Sequence, residues 1–276
     1  MIPSPEAYPA GEAVLAALTG WLGHDHPRPL ILGLCGAQGS GKSTLAAWLA
    51  ERLGGMGMRA GILSIDDLYL GRVQRQDLAA TVHPLFATRG VPGTHDVTRG
   101  CALLAALRAG TLPLVLPRFD KGRDEPAPQG EPVDAPLDVL IFEGWCVGAR
   151  PQTEPQLSPP VNALEREEDP EGTWRRHVNT ALACHYAPLF EAIDRLVLLA
   201  APGFEVVRGW RGEQEAELRT RLSASSEAGR EVMDAPRLDR FVQHYERLTR
   251  NILDEMPARA DLVLQLAPDR SLRSQP

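Results

Sequence analysis

Gly36-Ala37-Gln38-Gly39-Ser40-Gly41-Lys42-Ser43-Thr44 is the stretch whose reading decides the fold. It meets the phosphate-binding pattern G-x-x-x-x-G-K-[ST] at every fixed position. Glycines let successive backbone N–H groups turn inward around a phosphate, because no Cβ blocks the approach. In this pattern Lys42 reaches the β- and γ-phosphates and the Ser43 hydroxyl holds Mg²⁺. Gly36, Gln38, Gly39, Ser40, Gly41 and Thr44 complete the cradle. The surroundings agree. Residues 30–35 form an apolar run, as expected of a buried parallel strand, and residues 45–50 continue as a helix whose N-terminus points at the anion. The bland alternative is a Gly/Ser-rich turn with a chance lysine, and the agreement of strand, loop and helix weighs against it.

Working outward, further apolar runs predict strands at 59–65, 139–142, 196–200 and 262–264. Apolar residues at helical spacing predict helices over 11–22, 97–109, 174–193, 204–222 and 237–253. Strands alternating with helices imply an α/β fold: a P-loop NTPase-like parallel sheet with helices on both faces, carrying lid and substrate loops. One domain is expected over residues 1–276, with 1–28 as an N-terminal helical extension. Residues 122–136 and 149–172, polar and rich in proline, are expected to be surface loops.

Composition narrows the function. A hydrophobic content of 43% fills a real core, and an aromatic content of 5% leaves little for a base-stacking platform. The net charge is −7 and no basic cluster exceeds two residues, which argues against a nucleic-acid partner. Cys35, Cys101, Cys146 and Cys184 form no CxxC pair, so zinc is not expected. No run approaches a membrane span, and the polar N-terminal stretch has no signal-peptide character. The expectation is a cytoplasmic protein with no membrane partner; its oligomeric state is left open.

Five other stretches carry chemistry. The strand at 139–142 delivers Glu143 at its C-terminal end, where ligands of open α/β sheets bind. Glu143 is therefore expected at Mg²⁺, opposite Ser43. Ser64-Ile65-Asp66-Asp67-Leu68-Tyr69 sends two carboxylates from a strand end beside the phosphate loop. Asp66 is read as the base that takes a hydroxyl proton. Asp67 is read as a cap of the next turn or a member of the metal shell, and the two assignments can be exchanged. Arg89-Gly90-Val91-Pro92-Gly93-Thr94-His95-Asp96 is either plain turn chemistry or a pocket for a small oxygen-rich substrate. In the second case Arg89, Thr94 and His95 contact it, with Tyr69. Arg118 and Lys121 flank Phe119-Asp120 and suit a carboxylate, or form a solvated basic loop. Arg211 opens a charged helix after the fourth strand and is expected to close on phosphates as a lid residue.

The elements GAQGSGKST, SIDDLY and VLIFEGW, in this order, resemble the phosphoribulokinase/uridine kinase/pantothenate kinase superfamily. Within it, RGVPGTHD at 89–96, LPRFDKG at 116–122, FEGWCVG at 142–148, WRRHVN at 174–179 and FVQHYERLTR at 241–250 look like D-glycerate 3-kinase of the plant, fungal and cyanobacterial type. The resemblance runs from about residue 30 to residue 266. It implies phosphoryl transfer from ATP, with Mg²⁺, to D-glycerate, giving 3-phosphoglycerate. It places the base on Asp66 and the acidic strand-end residue on Glu143. After Lys121 the family continues with a longer Gly- and Arg-rich stretch than the one present here. Two alternatives stand beside this expectation. One is a kinase of another small alcohol: a sugar, a nucleoside or a pantothenate-like acceptor. The other is a regulatory P-loop NTPase, which needs a water-positioning residue and a partner surface; the sequence offers no clear candidate for either.

Overall fold

The computed structural model describes residues 8–23, 26–224 and 233–273. Part of the polar N-terminal stretch, residues 1–7, lies outside them. The elements follow in chain order. First come α1 (Pro9–Trp21), β1 (Leu30–Gly36), α2 (Lys42–Gly55), β2 (Ala60–Ser64), α3 (Arg72–Thr81) and α4 (Val97–Arg108). Four short strands follow: β3 (Leu114–Leu116), β4 (Phe119–Asp120), β5 (Glu125–Pro126) and β6 (Glu131–Val133). Then come β7 (Val139–Gly144), α5 (Glu154–Leu157), α6 (Ala163–Glu168), α7 (Thr173–Ala181), α8 (Ala187–Glu191) and β8 (Arg195–Ala200). The last are α9 (Glu205–Ala224), α10 (Ala235–Glu255) and β9 (Leu262–Gln265).

The main sheet runs β2-β7-β1-β8-β9, with every neighbouring pair parallel. Strands β1 and β7 are buried along their whole length. Alternate side chains of β1 enter different cores. Ile31 and Cys35 join a cluster with Leu104, Leu189 and Leu248 from α4, α8 and α10. Leu30, Leu32 and Leu34 join Val14, Leu18, Trp48 and Leu49 from α1 and α2. Burial on both faces is why these strands read as continuous apolar runs. Each fully buried Leu or Ile contributes roughly 1.5–3 kcal/mol. The chain leaves β1 toward β2 on one side and returns to β8 on the other. That places a crevice at the C-terminal ends of β1 and β7. No described helix is long and apolar enough to cross a membrane.

Three segments differ from expectation. Residues 174–193 are not one regular helix: a π-helical turn at Leu182–Tyr186 separates α7 from α8. Pro188 explains it, since its ring crowds the carbonyl four residues back, at Cys184, and it has no N–H to offer there. Residues 122–136 are not an irregular loop: β5 pairs with β4 and β6 with β3, both antiparallel. Residues 149–172 hold α5 and α6, and Asn162 caps α6 by accepting a bond from the Glu165 N–H at 3.0 Å.

Candidate active site

The loop after β1 is shaped by its glycines. Gly39 and Gly41 have φ of +77° and +89°, left-handed values that side chains disfavour. A Cβ on Gly36 would stand 2.6 Å from Ser40 Oγ, and one on Gly39 would stand 2.5 Å from Trp210 Cβ. Gly41 precedes α2, whose first turn has no side-chain cap. Its N–H groups therefore remain directed at the crevice. Lys42 and Ser43 are the first residues of that helix; Thr44 is exposed beside them.

Glu143 stands on β7 in register with Ser64 of β2 and Leu34 of β1. Ser43 Oγ donates to Glu143 Oε1 at 3.0 Å. The residue is buried, and Oε2 has no partner. A buried carboxylate oxygen without a donor is costly, so this position asks for a positive occupant.

The two aspartates after β2 part company in the tight turn Ile65–Leu68. Asp67 turns back. Its Oδ2 accepts from the Ser64 N–H and from Arg118 Nη1, both at 3.3 Å, and its Oδ1 accepts from the Phe119 N–H at 3.1 Å. Burial raises its pKa, against Arg118 and the two N–H groups. Asp67 thus caps the turn and pins β4; it is not among the residues lining the cleft, which corrects its expected place in a metal shell. Asp66 faces the cleft. Its Oδ1 accepts from Tyr69 OH at 2.8 Å and its Oδ2 from Lys121 Nζ at 2.5 Å. Burial pushes its pKa up most strongly, but Lys121, Lys42 and the Tyr69 hydroxyl together hold it well below the usual carboxylate range. Asp66 is therefore ionised.

These groups border one cleft of about 220 Å³. It gathers Gln38, Gly39, Lys42, Ser43, Asp66, Tyr69, Arg89, Lys121, Glu143 and Arg211, all named from the sequence. A larger cavity of about 540 Å³ lies beside the π-helical turn and holds none of them, so the chemistry points to the smaller one.

Three expected substrate contacts lie elsewhere. Thr94 is fully buried, where its hydroxyl accepts from the Gly90 N–H at 3.1 Å and donates to the Val91 carbonyl at 2.7 Å. His95 is buried with Nδ1 2.6 Å from Tyr186 OH, and its ring stacks on Tyr69 at 4.6 Å. Burial lowers its pKa to about 4, so it is neutral. Arg118 bonds the Ile62 carbonyl at 3.1 Å and pairs with Asp67 and Glu131. All three shape the loops behind the cleft.

The chain is 35% identical over 230 residues to the uncharacterized kinase mug58 of Schizosaccharomyces pombe, covering 79% of each. It is 28% identical over 261 residues to the chloroplastic D-glycerate 3-kinase of Arabidopsis thaliana, covering 91% of this chain and 53% of that one, about half its length. The chain belongs to the D-glycerate 3-kinase-like family of P-loop kinases. No family model matches it. The structure of D-glycerate 3-kinase from Cryptococcus neoformans shares the fold, with a TM-score of 0.79 at 21% identity, over 97% of this chain and 99% of that one.

The cleft of this kinase also holds residues that sequence reasoning passed over: Ser64, Trp145, Gln214, Phe241 and Tyr245. Trp145 Nε1 donates to the Gly90 carbonyl at 2.9 Å, and Tyr245 OH donates to the Arg89 carbonyl at 3.2 Å. Gly90 has φ +138°, and a Cβ there would lie 2.1 Å from Tyr245 OH. Two rings far apart in sequence thus fix the backbone that carries Arg89. Their only signal was membership in FEGWCVG and FVQHYERLTR. The Arg89 guanidinium lies 5.7 Å from the Phe119 ring centre and is ion-paired to Asp124. Arg211 lies 5.5 Å from the Phe241 ring centre, paired with Glu215 and bonded to Gln214 Oε1 at 3.2 Å.

Proposed function

We propose that this kinase transfers the γ-phosphoryl group of ATP to a hydroxyl of a small anionic alcohol, D-glycerate foremost, releasing ADP and 3-phosphoglycerate. One observation carries the reading. An ionised carboxylate, Asp66, shares a single cleft with the phosphate loop and with the cations Lys121, Arg89 and Arg211. The name of the Arabidopsis relative supports D-glycerate as the acceptor.

The loop N–H groups and Lys42 hold the β- and γ-phosphates. Asp66 accepts the proton of the acceptor hydroxyl as its oxygen bonds to the γ-phosphorus and the bond to the ADP oxygen breaks. Lys121 and Arg89 offer the acceptor carboxylate its cations, and Arg211 neutralises charge on the transferred group. The unpartnered Glu143 Oε2 and the Ser43 hydroxyl suit a hard cation such as Mg²⁺. Among the described residues no group of three or more His, Cys, Asp or Glu could hold a metal. That fits an ion that takes one or two protein oxygens and fills its shell with phosphates and water. When bound, Mg²⁺ neutralises phosphate charge.

Four measurements test the reading. ADP release is followed with D-glycerate, L-glycerate, ribulose 5-phosphate, uridine and pantothenate as acceptors. D-glycerate is expected to be used best; ATP hydrolysis indifferent to every acceptor would indicate a regulatory NTPase and overturn the proposal. Glu143→Gln keeps the shape but weakens the cation site. The Mg²⁺ concentration for half-maximal activity is expected to rise roughly tenfold or more, and an unchanged Mg²⁺ titration contradicts the role. Arg89→Ala removes a charged contact worth roughly 1.5–3 kcal/mol, so the KM for glycerate should rise roughly 10- to 150-fold with little change for ATP. Arg118→Ala, at a residue that does not line the cleft and that holds Asp67 and the Ile62 carbonyl, should lower Tm and leave the glycerate KM nearly unchanged. The opposite pattern would exchange the two arginines.

A further inference from the structure

Beyond β9, the chain folds back on itself. Leu266 and Leu272 bridge antiparallel, and the Arg273 N–H bonds the Gln265 carbonyl at 2.8 Å. The turn between them is closed by Arg270 N–H to the Ala267 carbonyl at 2.9 Å and by Ala267 N–H to the Ser271 carbonyl at 2.8 Å. Arg270 sits in this turn with φ +69°, a left-handed conformation in which glycine or asparagine is usual and other residues are strained. The side chain shows what accompanies that strain. Its Nε donates to the Gly39 carbonyl at 2.6 Å, inside the phosphate loop. Its Nη2 pairs with Glu213 at 2.5 Å, and its guanidinium lies 5.4 Å from the centre of the Trp210 ring.

Trp210 is itself fixed. It is buried, its Nε1 donates to the Pro268 carbonyl at 2.7 Å, and its backbone lies against Gly39, where a Cβ would not fit. Arg211 and Gln214, next on the same helix, line the cleft.

We infer that Arg270 is a positioning residue for nucleotide binding: from the far end of the chain it locks the phosphate loop and the base of the Arg211-bearing helix into one arrangement. The Gly39–Ser40 peptide is held on both sides, its carbonyl by Arg270 and its N–H by the Ala37 carbonyl at 3.1 Å. Both contacts oppose a flip of that peptide. The loop's other N–H groups keep their aim before any phosphate arrives, which removes an ordering cost from binding. The inference rests on the nucleotide site proposed above.

Arg270→Gly separates this role from a structural one. Glycine suits the left-handed turn, so the backbone gains what the side chain loses and Tm should change little. The Kd for Mg-ATP, measured by calorimetry, is expected to rise roughly tenfold or more, the worth of one charged hydrogen bond. The KM for ATP should rise in step, with the acceptor KM unchanged. Arg270→Lys keeps a donor for Gly39 but cannot also serve Glu213 and Trp210 in a fixed fork, so its Kd should fall between the two; it also serves if the glycine variant does not fold. A Kd within about twofold of wild type in Arg270→Gly, or an equal rise in both KM values, overturns the inference. Lys42→Ala is run alongside. A folded Lys42→Ala with low turnover beside normal Mg-ATP binding in Arg270→Gly removes only the Arg270 role, whereas near wild-type binding and turnover together in Lys42→Ala remove the nucleotide site itself.

Discussion

Lys42→Ala is expected to lower kcat on the order of 10²-fold or more while the protein stays folded. Lys42 opens α2 and stands in the cleft. It is the cation that the loop pattern directs at the β/γ-phosphates, where charge shifts as the phosphoryl group leaves. Water cannot replace it, because a fixed charge needs no reorganisation during transfer. The fold should survive, since Lys42 is only partly buried and alanine is the strongest helix former. Circular dichroism and ADP release measured on one preparation decide the matter. A correctly folded variant with near wild-type turnover would falsify the assignment of the loop.

Asp66→Asn is expected to bind ATP normally and to lose transfer by roughly 10²–10⁴-fold. The amide keeps the size of the carboxylate and can still accept from Tyr69, but it cannot take a proton. Asp67→Asn should act on stability, because that carboxylate is spent on the Ser64 and Phe119 N–H groups and on Arg118. A dead Asp67→Asn beside an active Asp66→Asn would reverse the two roles. Lys121→Met adds a pH test. Burial drives the Asp66 pKa up, and Lys121 is the first of the groups that hold it down. Without that charge the pKa rises. A base works ionised, above its pKa, so the acidic limb of the kcat/KM profile should move to higher pH. An unmoved limb means that the profile reports another group.

The sequence was most informative where backbone geometry or burial restricts residue type. Glycine at 39 and 41 is demanded by left-handed φ, so the loop shows in the letters alone. β1 and β7 were plain because a parallel strand covered on both faces is a near-continuous apolar run, with Glu143 entering only at the C-terminal end of β7. Short strands leave no such trace. β3 and β6 exist because each finds the other, with Val115 opposite Pro132, and three residues hold no period to read. Polar type alone also misled at Thr94, His95 and Arg118. Each has the chemistry of a substrate contact, and each is committed to protein partners that only the folded loops supply.

Sequence by itself determined the phosphate loop, the parallel α/β sheet and the carboxylate-bearing strand ends, because each is local and tied to residue type. Tertiary structure decided which of two adjacent aspartates faces the cleft, which rings hold Arg89, and that Arg270 meets Gly39. Those outcomes depend on contacts across as many as 231 positions, and no local pattern encodes the partner.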